Sequence, residues 1–402
     1  MDCIKKMLVL CTTLFPIGLW CQEHNYSFEI YGTINTDIGY NFNSIHPDWF
    51  DVMRPTKLPS YRNEFGPGGN MFFSVRQSKF GIKSSQWTKL GELTTRFDFD
   101  LIGFGKDAGQ TTIHLINAYA QLRRVGIGQT SSAFMDPDVF PEVLDYWGPM
   151  SRVFMFNVQL RYIPIERENQ RLIVALERPG AKADGGDYAN SIEIQNIVPV
   201  FKFPNLTAQY RRGGPWGYVQ VAAIAKSIKW KDLDTADYDL SGSAFGWGVN
   251  LGLVYKVSTA LTFKTQGVIG EGIENYIADA PADVALQSQP GNIAQPIQGK
   301  ALPVWGFFTF AEITWSKALR SSIGYSMETI QNTDLQSPDA FRQGRYGVIN
   351  LRYSPFYLMM FAAELQYGRR DNFSDGFRSE ATKIQFTVKY NFSEKFLQKE
   401  KS

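Results

Sequence analysis

Apolar and polar side chains take turns along most of this chain. The clearest case is residues 382–392. There Ile384, Phe386, Val388, Tyr390 and Phe392 fall on one face, and Lys383, Gln385, Thr387, Lys389 and Asn391 on the other. Successive side chains of a strand point to opposite sides, so a period of two marks a strand. A run of about ten residues, apolar on one side and polar on the other, suits a strand of a transmembrane barrel, with lipid outside and water inside. A sheet that crosses a membrane can leave no free edge, so this strand must pair with the first one. The first strand, 27–41, carries Phe28, Ile30, Ile34, Ile38 and Tyr40 against Glu29, Thr33, Asn35 and Asp37. Glu29 and Asp37 are expected to face Lys383 and Lys389 across the closing seam.

Between these two, further strands are predicted at 71–84, 92–102, 112–122, 126–130, 152–162, 171–178, 203–211, 218–230, 247–255, 261–271, 304–315, 319–328, 345–353 and 358–369. The fold expected is all-β: a transmembrane antiparallel barrel of about 16 strands, with short turns at one end and long loops at the other. A barrel of that size leaves an aqueous channel, whereas about eight strands would be filled by side chains. Three segments carry specific expectations. In 71–84 the rhythm is poor, with Phe72, Phe80 and Ile82 on the face of Ser74, Arg76 and Ser78; a wall packed on another subunit would blur the pattern this way. In 112–122, Ile116, Ala118, Ala120 and Leu122 face out. In 152–162, Phe154, Phe156, Val158, Leu160 and Tyr162 face out.

Composition narrows the class. The net charge of +2 over 402 residues argues against a nucleic-acid binder, and the 14% of aromatic residues fits two girdles at the membrane surfaces. The longest apolar run, residues 7–20 after Lys5 and Lys6, is too short for a membrane helix and makes 1–21 a signal peptide. Cleavage is expected before Gln22, with lipidation of Cys21 as the alternative. Cys3 and Cys11 lie in the signal, so the mature chain has no disulfide framework, no thiolate metal site and no expected cofactor. The barrel is expected to span 22–392, followed by a charged tail at 393–402, in the outer membrane of a Gram-negative bacterium.

Three loops stand out. Residues 42–70 are rich in Pro and Gly. Residues 272–302 are polar and expected to be mobile or surface-exposed. The rhythm also breaks at 131–151, where Asp136, Asp138, Glu142 and Asp145 alternate with Phe134, Val139, Phe140, Leu144, Tyr146 and Trp147. These apolar residues are too many to lie fully exposed. As the third long loop, this segment is expected to fold into the lumen and place negative charge at a constriction; an outside loop with solvated acids is the alternative. Opposite it, Arg76, Arg96, Arg161, Lys264, Arg320 and Arg352 fall at inward positions. A basic ladder facing acids would set up a transverse field and favour anionic solutes. The alternative is that these residues pair with lumen acids and pack the wall. Catalysis is not expected: the mature chain has only His24, His46 and His114, and the position two after His114 is Ile116 rather than a serine.

Several segments resemble one known family. They are Pro47-Asp48-Trp49-Phe50 with Arg54-Pro55-Thr56, residues 73–78, 105–112 and 136–149, Asn157-Val158-Gln159, Leu176-Glu177-Arg178-Pro179-Gly180 and the closing Lys389-Tyr390-Asn391-Phe392. Together they are similar to the DcaP-like trimeric porins of Gram-negative outer membranes. The likeness runs over nearly the whole mature chain and is densest at 49–179. It implies a homotrimer of sixteen-strand barrels passing small anions such as carboxylates. Members of that family often carry a coiled-coil segment after the signal, whereas here Gln22 runs almost directly into the first strand; a ten-residue tail also follows the closing aromatic. The function expected is passive diffusion of small anionic solutes through an outer-membrane porin, with lipid and like subunits as partners and no nucleic acid. The alternative is a non-conducting receptor or adhesin barrel that uses the loops 42–70 and 272–302.

Overall fold

The computed structural model describes residues 26–235 and 239–398. The expected signal peptide, its cleavage point and Cys21 lie outside the described residues. The wall is built from β1 (Tyr26–Asn41), β2 (Asn70–Ser74 and Lys79–Thr88), β3 (Gly91–Ile102), β4 (Thr111–Leu122), β5 (Val125–Ser131), β6 (Phe156–Arg167), β7 (Gln170–Glu177) and β8 (Asn205–Gly214). It continues through β9 (Gly217–Asp232), β10 (Gly242–Lys256), β11 (Leu261–Glu271), β12 (Pro303–Thr314), β13 (Leu319–Ile330), β14 (Phe341–Phe356), β15 (Met359–Asn372) and β16 (Arg378–Gln398). Eighteen segments form one sheet; the two pieces of β2 share one course, and Ile197–Pro199 prolongs that of β8, giving a closed antiparallel barrel of 16 strands.

Closure is by β1 on β16, with Asn35 opposite Lys389 and Asp37 opposite Thr387. The alternation holds here: Ile34 and Ile38 are exposed outward while Asn35 and Asp37 are buried inward. The charge pairing expected across the seam does not form. Asp37 instead accepts from Gln385 (2.9 Å), Thr387 (2.5 Å) and Asn35 (2.7 Å), and Glu29 pairs with Lys83 on β2 at 3.1 Å. The closing strand also runs beyond Phe392, where a tail was expected, with Phe396 opposite Phe28 and Gln398 opposite Tyr26.

The poor rhythm of 71–84 has a local cause. Ser74 lies opposite Asp37 and Lys79 opposite Thr33, so β2 uses five steps where β1 uses four. One extra residue inverts the facing of everything after it. Phe72, Ser74 and Arg76 are buried inside, while Phe80 faces out and Lys79 faces in. A second bulge corrects the reading of β4. Asp98 lies opposite Asn117 but Phe99 opposite Leu115, which leaves Ile116 unpaired and turned inward rather than out. Two strands further on, Phe154 belongs to a loop and lines the lumen, because β6 begins only at Phe156.

All long loops leave one end of the barrel, and three fold into it: L1 (42–69), L3 (132–155) and L6 (272–302). Their apolar side chains, Met53, Phe134, Met150 and Ile277 among them, pack with the wall residues Phe308, Phe310 and Tyr346 into one buried cluster. The expectation of an exposed L6 is therefore corrected for its first half. Val153 bridges Ile277, and the L3 backbone at Arg152 and Phe154 bonds to L6 at Ala278 and Tyr276 (2.9 Å each). Asp279 receives Arg54 Nε at 2.8 Å, and Asp283 receives Lys226 at 2.6 Å. Two carboxylates of L6 thus meet cations in the lumen, while Glu274, equally buried, has no ion pair among the described residues. The second half of L6, Val284–Ser288 and Ile297–Ala301, forms a hairpin with Ile293 exposed near its tip.

Candidate functional site: the lumen under the third loop

L3 starts at Ser132 and Ala133, both of which donate to Glu177 of β7 (2.7 and 3.0 Å). It then crosses to the far wall. Phe134 O accepts from Asn250 (2.9 Å), and Phe140 O accepts from Lys264 (2.8 Å). The amides of Leu144 and Asp145 donate to Glu364 (2.7 and 3.0 Å), and the amide of Met150 donates to Ser326 Oγ (2.9 Å). Two inward glycines make the contact possible. A Cβ on Gly252 would strike the Asp136 carboxylate, and one on Gly306 would strike Ser151. A loop that is neither helix nor sheet survives at membrane depth only when its backbone groups find partners in protein or water. L3 meets that demand with side chains of the wall.

Each of the four acids of L3 meets a cation of the wall, two of them sharing one arginine. Asp136 and Asp138 are both held by Arg211 of β8 (2.7 and 2.5 Å), and Tyr218 adds a bond to Asp136 (3.1 Å). Glu142 pairs with Arg352. Asp145, fully enclosed, takes the Met53 amide and lies 3.7 Å from the equally enclosed Lys383. The expected constriction loop is in place, but its four acids anchor it.

The expected basic ladder divides. Arg76 is buried on Asp51 and packs on Phe50, pinning L1 at the break in β2. Lys264 sits between Phe140 O and Glu312 (3.4 Å). Arg161 is buried against Gln159 (3.1 Å) and the Ser131 carbonyl. Arg320 is exposed opposite Arg352 near a short turn. Of the six, Arg96 alone lines the cavity beneath L3, tied to Asp98 (2.5 Å) and Tyr31 Oη (3.1 Å).

That cavity has a volume of about 400 Å³. Four cations line it: Lys79, Arg96, Arg152 and Lys389. Arg152 lies over Phe154 (4.5 Å) and donates to Tyr146 O (2.8 Å), while its buried Nε has no partner. Lys79 on β2 lies opposite Thr33 of β1, and Lys389 on β16 opposite Asn35, so the two lysines flank β1. Neither ammonium has a hydrogen bond or ion pair among the described residues. Asp98 and Asp145 are the acids of the cavity, and both are already paired. Lys389 was readable as an inward residue of the last strand. Lys79 was hidden by the bulge, and Arg152 by the reading of 152–162 as strand.

A second, larger cavity of about 1040 Å³ opens at the long-loop end and shares no lining residue with the first. Trp147 separates them. It follows Tyr146, which lines the inner cavity, and packs on Trp49 (4.8 Å) and Arg54 (3.9 Å), which line the outer one. His114 belongs to neither: it is held by Asp100 (3.1 Å) against the Phe104 ring (4.0 Å).

The sequence profile of the DcaP outer membrane protein family matches residues 22–392. Among solved structures, the outer membrane channel DcaP of Acinetobacter baumannii superposes with a TM-score of 0.75 at 19% identity, over 91% of this chain and 97% of that one. The anion-selective porin from Comamonas acidovorans superposes at 0.57 with 8% identity, over 91% and 100%. The trimer form of OmpT from Vibrio cholerae gives 0.52 at 9% identity, over 92% and 100%. No curated protein matches by sequence.

Proposed function

We propose, from the premise that the chain belongs to the DcaP outer membrane protein family, that it conducts small anionic solutes, carboxylates among them, down their gradient. The observation that carries this reading is the pair Lys79 and Lys389, two cations without partners flanking β1 at the inner cavity. A small ion leaving water for a narrow lumen loses hydration, and fixed unpaired charges of opposite sign replace it. Paired charges do this poorly, because their fields largely cancel a few ångströms away. No covalent step is involved: the lining offers charges and hydrogen bonds, and the driving force is the concentration difference. The name of the Comamonas acidovorans porin, anion-selective, agrees with this reading.

The working unit is a homotrimer joined through the outer face of β2–β5. Outward positions there mix polar, small and apolar side chains: Ser84 and Thr95 share a hydrogen bond of 2.7 Å, Ala118 lies opposite Gln129, and Phe97, Ile113 and Ile127 are exposed beside them. The outward positions Ile349, Leu351, Tyr353, Phe361, Leu365 and Tyr367 on β14 and β15 are exposed and apolar and suit lipid. Liposome swelling tests the solute class. Acetate and succinate enter faster than neutral or cationic solutes of matched size; equal rates for all three charge types would remove the anion reading.

A further inference from the structure

Resting on that reading, we propose that the outer cavity holds a capture site for one carboxylate group of a small solute, formed by Arg54 and Lys57 of L1. Arg54 is built for a planar ligand. Its guanidinium packs on the rings of Trp49 (4.3 Å) and Trp147 (3.9 Å), which themselves meet at 4.8 Å. Nε is taken by Asp279 at 2.8 Å. Nη1 is buried without a hydrogen bond, and Nη2 stands 3.9 Å from Asp184, beyond hydrogen-bond range. The Nη1–Nη2 edge is one of the forks that a carboxylate fits with two parallel bonds. Arg54 lines the cavity and is almost wholly buried.

Lys57 lies three residues on and lines the same cavity. Its ammonium has no hydrogen bond or ion pair among the described residues. Burial first, and Arg54 next, push its pKa below the usual lysine range, while Asp184 and Asp279 pull it back up. Lys182 stands 3.8 Å from Asp184. Burial of the Asp184 carboxyl is outweighed by Lys182, Arg54 and Lys57, which hold it below its ordinary value. On the Arg54 side of the cavity, Arg54, Lys57 and Lys182 therefore face Asp184 and Asp279, three cations against two carboxylates. Arg370, also in the lining, is already occupied by the carbonyls of Thr56 (2.6 Å) and Asp339 (2.7 Å). Asp48, Asp187 and Glu193 line the cavity as well and repel an anion placed near them, which restricts the site to the Arg54 side.

The test is titration calorimetry of detergent-solubilised full-length protein with sodium succinate, against sodium chloride at equal ionic strength. Wild type binds succinate. Lys57→Gln weakens it about tenfold, the size of one lost charge-assisted contact, about 1.4 kcal/mol. Lys57→Arg restores most of the affinity. Arg54 also anchors L6, so its variant is Arg54→Lys, which keeps the charge and loses the fork; it weakens binding too. Heat-modified gel mobility checks that each variant is folded. Equal affinity in wild type and Lys57→Gln, or no binding by wild type, overturns the site. A wild-type channel without anion preference would sink the proposed function while leaving a Lys57-dependent binding result intact, so the two claims fail separately.

Discussion

The third loop fastens each of its acids to a cation, whereas the wall beneath it leaves two of its own cations outside any ion pair. Asp136 and Asp138 meet Arg211, Glu142 meets Arg352, and Asp145 meets Lys383. Across the cavity, neither Lys79 nor Lys389 forms an ion pair among the described residues. A buried charge without a partner is costly, so a loop drawn into a narrow lumen must bring its counter-charges or find them on arrival. L3 finds them. The lesson is that formal charge on a constriction loop says how the loop is fastened, and the field felt by a solute is what remains after that fastening.

Four variants press on this contrast. The largest change is expected from Lys79→Glu with Lys389→Glu: the sign of the reversal potential inverts in a planar bilayer under a salt gradient. Next is Asp145→Ala. Lys383 then stays enclosed with the Asp51 carbonyl but no carboxylate. Stability falls by roughly 3–5 kcal/mol, read as a lower temperature of heat-modified mobility, and anion preference rises because a cation has been released. Third is Trp147→Ala, which removes the layer between the two cavities. Single-channel conductance rises with little change in selectivity, at roughly 3–5 kcal/mol of stability for a fully buried aromatic. The smallest change is expected from Arg352→Gln with Glu142→Gln. The pair cancels, so removing both shifts the permeability ratio by less than about twofold, as for most pairs with an exposed member.

Much of the barrel was legible because lipid and water impose opposite demands on alternate residues. Strand number and the position of the inward loop follow from that rule. What escaped were the places where the period slips. One inserted residue between Ser74 and Lys79 reverses the facing of Phe80 and Lys79, and one at Ile116 turns an apolar side chain into the lumen; no pattern of period two can show such a step from within a single strand. The interior half of L6 was also missed. Its Asp279 and Asp283 look like solvated loop acids until Arg54 and Lys226, distant in sequence, are placed beside them. A usable signal did exist for L3: Gly252 and Gly306 occupy inward positions where a side chain would collide with the loop. Of the proposed cationic set, Arg96 was placed at the cavity. All six were chosen by position alone, and position does not reveal that Arg76 or Arg352 already has a partner.

The account depends most on the field at Lys79 and Lys389, and one recording tests it directly. Purified wild-type protein is inserted into a planar bilayer with a tenfold gradient of potassium chloride, a ratio worth about 1.4 kcal/mol per ion, and the zero-current potential is read. The account predicts a sign set by chloride. A potential set by potassium, or a barrel that passes no current, would contradict it.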